Sequence, residues 1–385
     1  MAGLAADAHG RAQGGRAISE TCELVASLAK AAADLARRLE PHTVRVMEVC
    51  GTHTMAIFRA GLRSLLPANV ELLSGPGCPV CVTPMGYVDA AIEIGAQHRA
   101  VVATFGDMMK VPGTERNLSL AKAQGADVRV VYSPLDALRL AEDQPGREVV
   151  FLGIGFETTA PLVAASVAEA RRRGLSNFSV LCAHKLVPPA LRALCGAGDL
   201  AIDAFLLPGH VSAIIGAGPY EFVAAEHGRA CVIAGFEPAD VMASVCMLLR
   251  QLVDGRPAVE IQYTRCVRPE GNPSAQRQMS DVFEASAAVW RGLGELPASG
   301  LALRESHAAL DAWRRFGVEP RHAPDPPGCR CGDVICGRVT PPECPLFGTA
   351  CTPMHAVGPC MVSSEGSCAA HFKYGRAPER VPRPS

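Results

Sequence analysis

Cys78 and Cys81 stand three positions apart in Gly75-Pro76-Gly77-Cys78-Pro79-Val80-Cys81. A Cys-x-x-Cys pair has two chemical uses: its sulfurs can close a reversible disulfide, or supply two thiolates to one metal. Gly75 and Gly77 permit a tight turn and close approach to a ligand, and Pro79 stiffens the span between the sulfurs. A second thiol, Cys50, lies in Glu48-Val49-Cys50-Gly51-Thr52-His53. A thiolate and an imidazole at this spacing can share a metal, or the imidazole can hold the thiol deprotonated. The plain alternative is a half-buried cysteine beside a helix-capping Thr52. Cys50, Cys78 and Cys81 together, with His53, make a soft site. Zinc would close it as a tetrahedron; iron with fewer protein ligands would leave positions open for chemistry.

Two further motifs carry polar groups. Gly155-Phe156-Glu157-Thr158-Thr159 can place Glu157 at the start of a helix, or Thr158 or Thr159 can simply cap that helix. His210, in Pro208-Gly209-His210-Val211-Ser212, is a lone histidine that gains interest only from its neighbours. No Gly-x-x-x-x-Gly-Lys phosphate loop occurs, so no motif supports nucleotide binding.

The chain has 16 cysteines, and seven fall within 40 residues, at 329, 331, 336, 344, 351, 360 and 368. That density in a segment with little apolar periodicity is most simply ordered by a metal centre. The irregular spacing favours an iron–sulfur cluster over zinc. Cys22, Cys182, Cys195, Cys231, Cys246 and Cys266 sit in apolar runs and are expected to be small buried hydrophobes.

The elements that position these residues alternate. Apolar strands are expected at 44–49, 70–73, 100–104, 128–131, 149–154, 178–182, 202–207 and 231–234. Helical patterns fall between them, at 84–97, 118–124, 135–142, 159–173, 188–194 and 238–252, and one precedes them at 19–39. This alternation predicts an α/β fold with parallel sheets covered on both faces. Eight strands could close one barrel, but two doubly wound Rossmann-like units plus a smaller C-terminal iron–sulfur domain fit better, the break between the units falling near Ala126 or in the Gln144-Pro145-Gly146 turn. The expected division is 1–40, a tail and helix packing on the C-terminal domain; 41–126, with the Cys50 and Cys78/Cys81 loops; 127–256, with the Glu157 and His210 loops; and 257–385. In the last, a short strand is expected at 259–266 and helices over 275–290 and 302–316, with 320–327 a linker; residues 1–17 and 376–385 read as disordered. The chemistry-bearing loops, Gly106-Asp107 included, all follow strands, at the end where parallel sheets bind ligands.

Net charge is −1, hydrophobic residues make 49% and charged residues 19%. This balance leaves no electrostatic footprint for nucleic acid or an anionic membrane. No secretory h-region and no run of about 18 uninterrupted apolar residues is present, so a cytoplasmic protein is expected. There, so many cysteines argue against a disulfide framework.

The motifs resemble those of the hydrogenase maturation factor HypD family from about Val46 to Arg376. The resemblance rests on Cys50-Gly-Thr-His53, Gly-Pro-Gly-Cys78-Pro-Val-Cys81-x-x-Pro84, Gly155–Thr159 and Pro208-x-His-Val-Ser-x-x-x-Gly216. It continues through Pro342–Pro353 and Gly358–Cys368. The resemblance implies a role in assembling the Fe(CN)2CO unit of nickel–iron hydrogenase. Such a scaffold would hold mononuclear iron with the small chaperone HypC and accept cyanide from HypE. It would carry a 4Fe–4S cluster, and is expected to be monomeric alone. The family's cluster gaps of 12, 6 and 16 residues select Cys331, Cys344, Cys351 and Cys368, leaving Cys329, Cys336 and Cys360 over. The usual second histidine of Cys-Gly-Thr-His-x-His is Met55 here. An ATPase activity of the complex with HypC is implied, but no motif locates it. In this reading Cys50, His53, Cys78, Cys81, Glu157 and His210 do the chemistry. Two rivals remain open: an iron–sulfur protein disulfide reductase with no iron at Cys50, and a zinc-stabilised interaction protein.

Overall fold

The computed structural model describes residues 3–198, 201–319 and 324–375, with the side chains of 3–19 left aside. Among the described residues nine strands, all expected, build two parallel sheets: β1 (Val44–Glu48), β2 (Val70–Ser74), β3 (Val101–Thr104), β4 (Val128–Val130), β5 (Val149–Gly153), β6 (Phe178–Cys182), β7 (Ala204–Pro208), β8 (Ala230–Ala234) and β9 (Val259–Ile261). Five of them, β5 through β8 and β3, are buried at every position, because both sheet faces are covered.

The first sheet has the order β2-β1-β7-β8-β9 and the second β4-β3-β5-β6. The division at residue 126 therefore does not separate the sheets. β3, expected with β1 and β2, pairs with β4 and β5; β7 and β8, expected with β5 and β6, return to pair beside β1. The chain leaves the first sheet after the helix Met85–Gln97, builds the whole second sheet, and comes back. Strand rhythm is local and visible in sequence, whereas strand partnership is not.

Alternate residues of each strand face opposite layers. Val44, Val46, Ala204 and Leu206 face an outer layer with Val241, Val245 and Leu249; Met47, Val49, Phe205 and Leu207 face a central core. Val101, Ala103 and Phe151 face a third layer, while Val102, Val150 and Leu152 face the same central core. That shared core also holds Cys78, Cys81, Cys331, Cys336, Cys351, Cys360 and Cys368. The N-terminal helix runs Gly3–Arg37, beginning well before Ser19. It packs on the helix Pro238–Asp254 rather than on the cysteine-rich segment, because Val25, Ala32 and Ala36 complete the outer layer of the first sheet.

Beyond β9 the expectations need correction. The helix expected over 275–290 ends at Val282, and β10 (Phe283–Trp290) pairs antiparallel with β11 (Gly294–Leu303). Alanine-rich composition favours helix, but Gly292 and Gly294 at φ 79° and 75° turn the chain into a hairpin and Trp290 is buried in the core. Over 302–316 the strand end is followed by a 3-10 turn, Glu305–Leu310, and a helix, Ala312–Phe316. Part of the expected linker, 320–323, and the tail 376–385 lie outside the described residues. Cys22 and Cys266 are exposed and Cys195 half-buried, unlike the buried hydrophobes expected. Among the described residues, no helix is long and apolar enough to cross a membrane.

Candidate metal and redox site

Each sheet has a switch point, where the first strand sends the chain to one side and a later strand lies on the other. In the first sheet it falls between β1 and β7, so the loops carrying Cys50 and His210 are adjacent. In the second it falls between β3 and β5, beside the Glu157 loop. Asp107, at the same end, is exposed.

Cys50 is buried at the start of the helix Gly51–Arg59. The Gly-Pro-Gly loop lies along its backbone: Gly75 N donates to Glu48 O at 2.9 Å, and Gly51 N donates to Gly77 O at 3.0 Å. A Cβ on Gly77 would stand 2.3 Å from Cys50 N, so only glycine brings the two loops together. Next along the loop, Cys78 and Cys81 form a disulfide. Their sulfurs bind each other, so they do not join Cys50 in the expected three-thiolate site. Among the described residues, no three His, Cys, Asp or Glu side chains converge on a position for one metal ion. Cys81 is fully buried, with its sulfur 4.0 Å from Pro359 O, next to Cys360.

His53 is buried on the same helix. Its Nε2 lies 3.0 Å from Gly235 O and 3.3 Å from Ala234 O, so it must carry the proton and donate. Nδ1, left with its lone pair, has no partner. Burial pulls the imidazole pKa down to about 4, so it is neutral. His53 and His210 both stack on Phe236, at 4.5 and 3.9 Å between ring centroids. His210 reaches solvent. Met55 lies half-buried on the His53 helix.

Glu365 was not singled out from the sequence. It reaches this site from the cysteine-rich segment: Thr52 Oγ1 donates to it at 2.7 Å, and its backbone and Cβ press on Gly51. Burial, then the Glu365 charge, push the Cys50 thiol up to about 11; the first-turn N–H groups of Thr52 and His53 work the other way. The available signal was its place inside the family-like run Ser363–Cys368, in which the cysteine alone was read.

Glu157 is buried. Its Oε1 accepts from Val187 N at 2.9 Å, and Oε2 has no partner. Burial lifts its pKa to about 7. Neither Thr158 nor Thr159 makes the expected capping bond: Thr159 caps without one and its hydroxyl turns to Phe156 O. Burial, then charge on Glu157, raises the pKa of Tyr220, a phenol 3.4 Å from the Ser212 hydroxyl. Tyr220, also missed in the sequence, thus meets the helix that carries His210, through Ser212.

Cys331, Cys344, Cys351 and Cys368, the four selected ligands, line one apolar cavity with Cys329, Cys360, Phe347 and Met361. Hydrogen bonds from Cys329 and Cys360 hold Cys331 well below the ordinary thiol range, and Cys360 also bonds Cys368. Cys336 lies apart, donating to Gly292 O at 3.4 Å. Six thiols around one apolar cavity, none of them in a disulfide, fit a four-thiolate cluster with two sulfurs to spare.

Comparison with known proteins agrees over nearly the whole chain. The HypD family, described as the hydrogenase formation hypA family, matches residues 23–375. Hydrogenase maturation factor HypD2 of Bradyrhizobium diazoefficiens is 49% identical over 362 residues, spanning 92% of this chain and 95% of its own. The HypD proteins of Rhodobacter capsulatus and Escherichia coli K12 are 48% and 47% identical, over 92% and 93% of this chain and 95% and 96% of theirs. This chain therefore belongs to the HypD family of hydrogenase maturation factors.

Proposed function

We propose that the chain is the scaffold and electron donor on which the Fe(CN)2CO unit of nickel–iron hydrogenase is assembled in the cytoplasm. The observation that carries this reading is the seating of the Cys78–Cys81 loop against Cys50 through Gly77, with the Cys81 sulfur 4.0 Å from Pro359 O, the neighbour of the cavity-lining Cys360. Iron is the cargo. Cys50 holds it together with a cysteine of a HypC-type chaperone, and the free Nδ1 of His53 serves as a further ligand or base.

Cyanide reaches the site as a thiocyanate on a HypE-type donor. Its release breaks the S–CN bond and consumes two electrons, giving the donor thiol and cyanide. The Cys78/Cys81 dithiol supplies those electrons as it closes its disulfide and gives up two protons. Glu157, with a pKa near 7, and His210 take up and return protons. A cluster held by Cys331, Cys344, Cys351 and Cys368 supplies single electrons for reopening the disulfide.

The disulfide beside the cysteine cavity also favours a second reading, a disulfide reductase with no iron at Cys50. One experiment separates them: iron and sulfide content, and infrared spectra in the cyanide and carbonyl region, of protein purified without air alongside its chaperone. The scaffold gives about four irons with matching sulfide, one further iron and the bands. Cys50→Ser then loses the further iron and the bands while keeping the cluster. A cluster without further iron or bands in the unaltered protein sinks the scaffold reading.

A further inference from the structure

At the carboxyl end of β6 the chain continues Cys182-Ala183-His184-Lys185, and the β10–β11 hairpin closes over it. Leu186 N donates to Ser299 O at 2.9 Å and Leu301 N to His184 O at 3.1 Å, while Lys185 pairs with Gly300. The hairpin sits this close because position 300 is glycine: a Cβ there would lie 2.6 Å from Ala288 Cβ. A register shift between Ser286 and Ala288 bends the strand away from its partner. Beneath it lies a cavity of about 390 Å³, within the size range of small-molecule sites. Its walls are largely apolar, with Tyr87, Trp313, Leu301 and Leu303 prominent, and it shares no lining residue with the site at the switch points.

Lys185 lines this cavity and is only 3% exposed. Its ammonium has no hydrogen bond or carboxylate partner among the described residues, only the face of Trp290 at 5.5 Å. Burial pulls its pKa down to about 8, so the folded chain does little to support the charge it carries at neutral pH. The two carboxylates on the lining do not meet it: Asp311 accepts from Trp313 N at 3.0 Å and lies 3.7 Å from Arg314, while Glu295 is exposed at the rim. His184 Nε2, next to Lys185 in the chain, is buried without a partner and closed off from solvent. The capacity left open to a ligand is therefore that of Lys185.

We propose that this cavity binds a small organic anion, with its apolar body against Tyr87, Trp313 and the hairpin and its charged group on Lys185. The binding does not depend on iron.

The probes are 2-naphthoate and its neutral counterpart 2-naphthamide, titrated calorimetrically into the full-length protein purified without air. Naphthoate is expected to bind about tenfold more tightly than the amide, as a charge-assisted contact requires. Lys185→Met is expected to erase that preference while keeping the iron content and melting temperature of the unaltered protein. A readout without substitution accompanies it: naphthoate, and not naphthamide, should protect Lys185 from acetic anhydride, followed by mass spectrometry of the Lys185 peptide. Equal affinity for the two probes, a preference that survives in Lys185→Met, or no heat and no protection at millimolar naphthoate would overturn the proposal.

Discussion

Thr52 donates a 2.7 Å hydrogen bond to the carboxylate of Glu365, joining the helix that Cys50 begins to the cysteine-rich segment 313 residues later. The bond places a negative charge beside a thiol that burial already discourages from ionising. Glu365→Gln keeps an acceptor for Thr52 and removes the charge. The Cys50 thiol should then ionise more readily, and its alkylation by iodoacetamide at pH 8, followed on the Cys50 peptide, should rise several-fold. Each pKa unit is worth about tenfold in thiolate. An unchanged rate would mean that Glu365 does not act on Cys50.

Gly77 makes the matching contact on the other side of Cys50. With a Cβ 2.3 Å from Cys50 N, Gly77→Ala forces the Cys78–Cys81 loop off β1. Overpacking of this kind costs about 1–3 kcal/mol. A lowered urea midpoint is expected, together with faster alkylation of Cys78 and Cys81 after reduction. Gly146→Ala, where an added Cβ meets nothing within 4 Å, is the control and should stay within about 0.5 kcal/mol of the parent.

Strands were legible wherever burial on both faces made them continuously apolar, as in Val149–Gly153 and Phe178–Cys182. The loops that follow them were legible for the same reason, since the carboxyl ends of parallel strands collect functional residues. Partnership was not. Nothing in Ala204–Pro208 says that it returns to β1 across the whole second sheet. The Ala285–Ala288 stretch reads as helix until the Gly292 and Gly294 turn and the burial of Trp290 override propensity. Glu365 and Tyr220 carry no spacing signature. They matter because the fold brings one to Gly51 and Thr52 and the other to the Ser212 hydroxyl on the His210 helix, which a linear reading does not reveal.

The seven C-terminal cysteines divide by position. Cys344 and Cys351 line the cavity, whereas Cys336 points at Gly292 O outside it. Cys344→Ser or Cys351→Ser should therefore strip most iron and sulfide from protein purified without air and bleach its visible absorbance. Cys336→Ser should retain both. Loss of iron and sulfide in Cys336→Ser, or their retention in Cys351→Ser, would contradict this assignment.

Glu157 gives the chain a pH dependence whose sign follows from its burial. Its carboxyl holds its proton to about pH 7 in the folded protein, against an ordinary value of 4.5. Between those values the folded state binds more protons than the unfolded one, so stability falls as pH rises. The contribution is fully present below pH 4.5 and lost once pH passes 7; the shift corresponds to about 3 kcal/mol. Glu157→Gln preserves an oxygen for Val187 N and has nothing to ionise. Relative to the variant, the unaltered protein should lose urea resistance from pH 4.5 to 7.5 and then run parallel to it. Two curves parallel throughout would show that Glu157 is charged in the folded protein, and would remove it as a proton carrier in cyanide release.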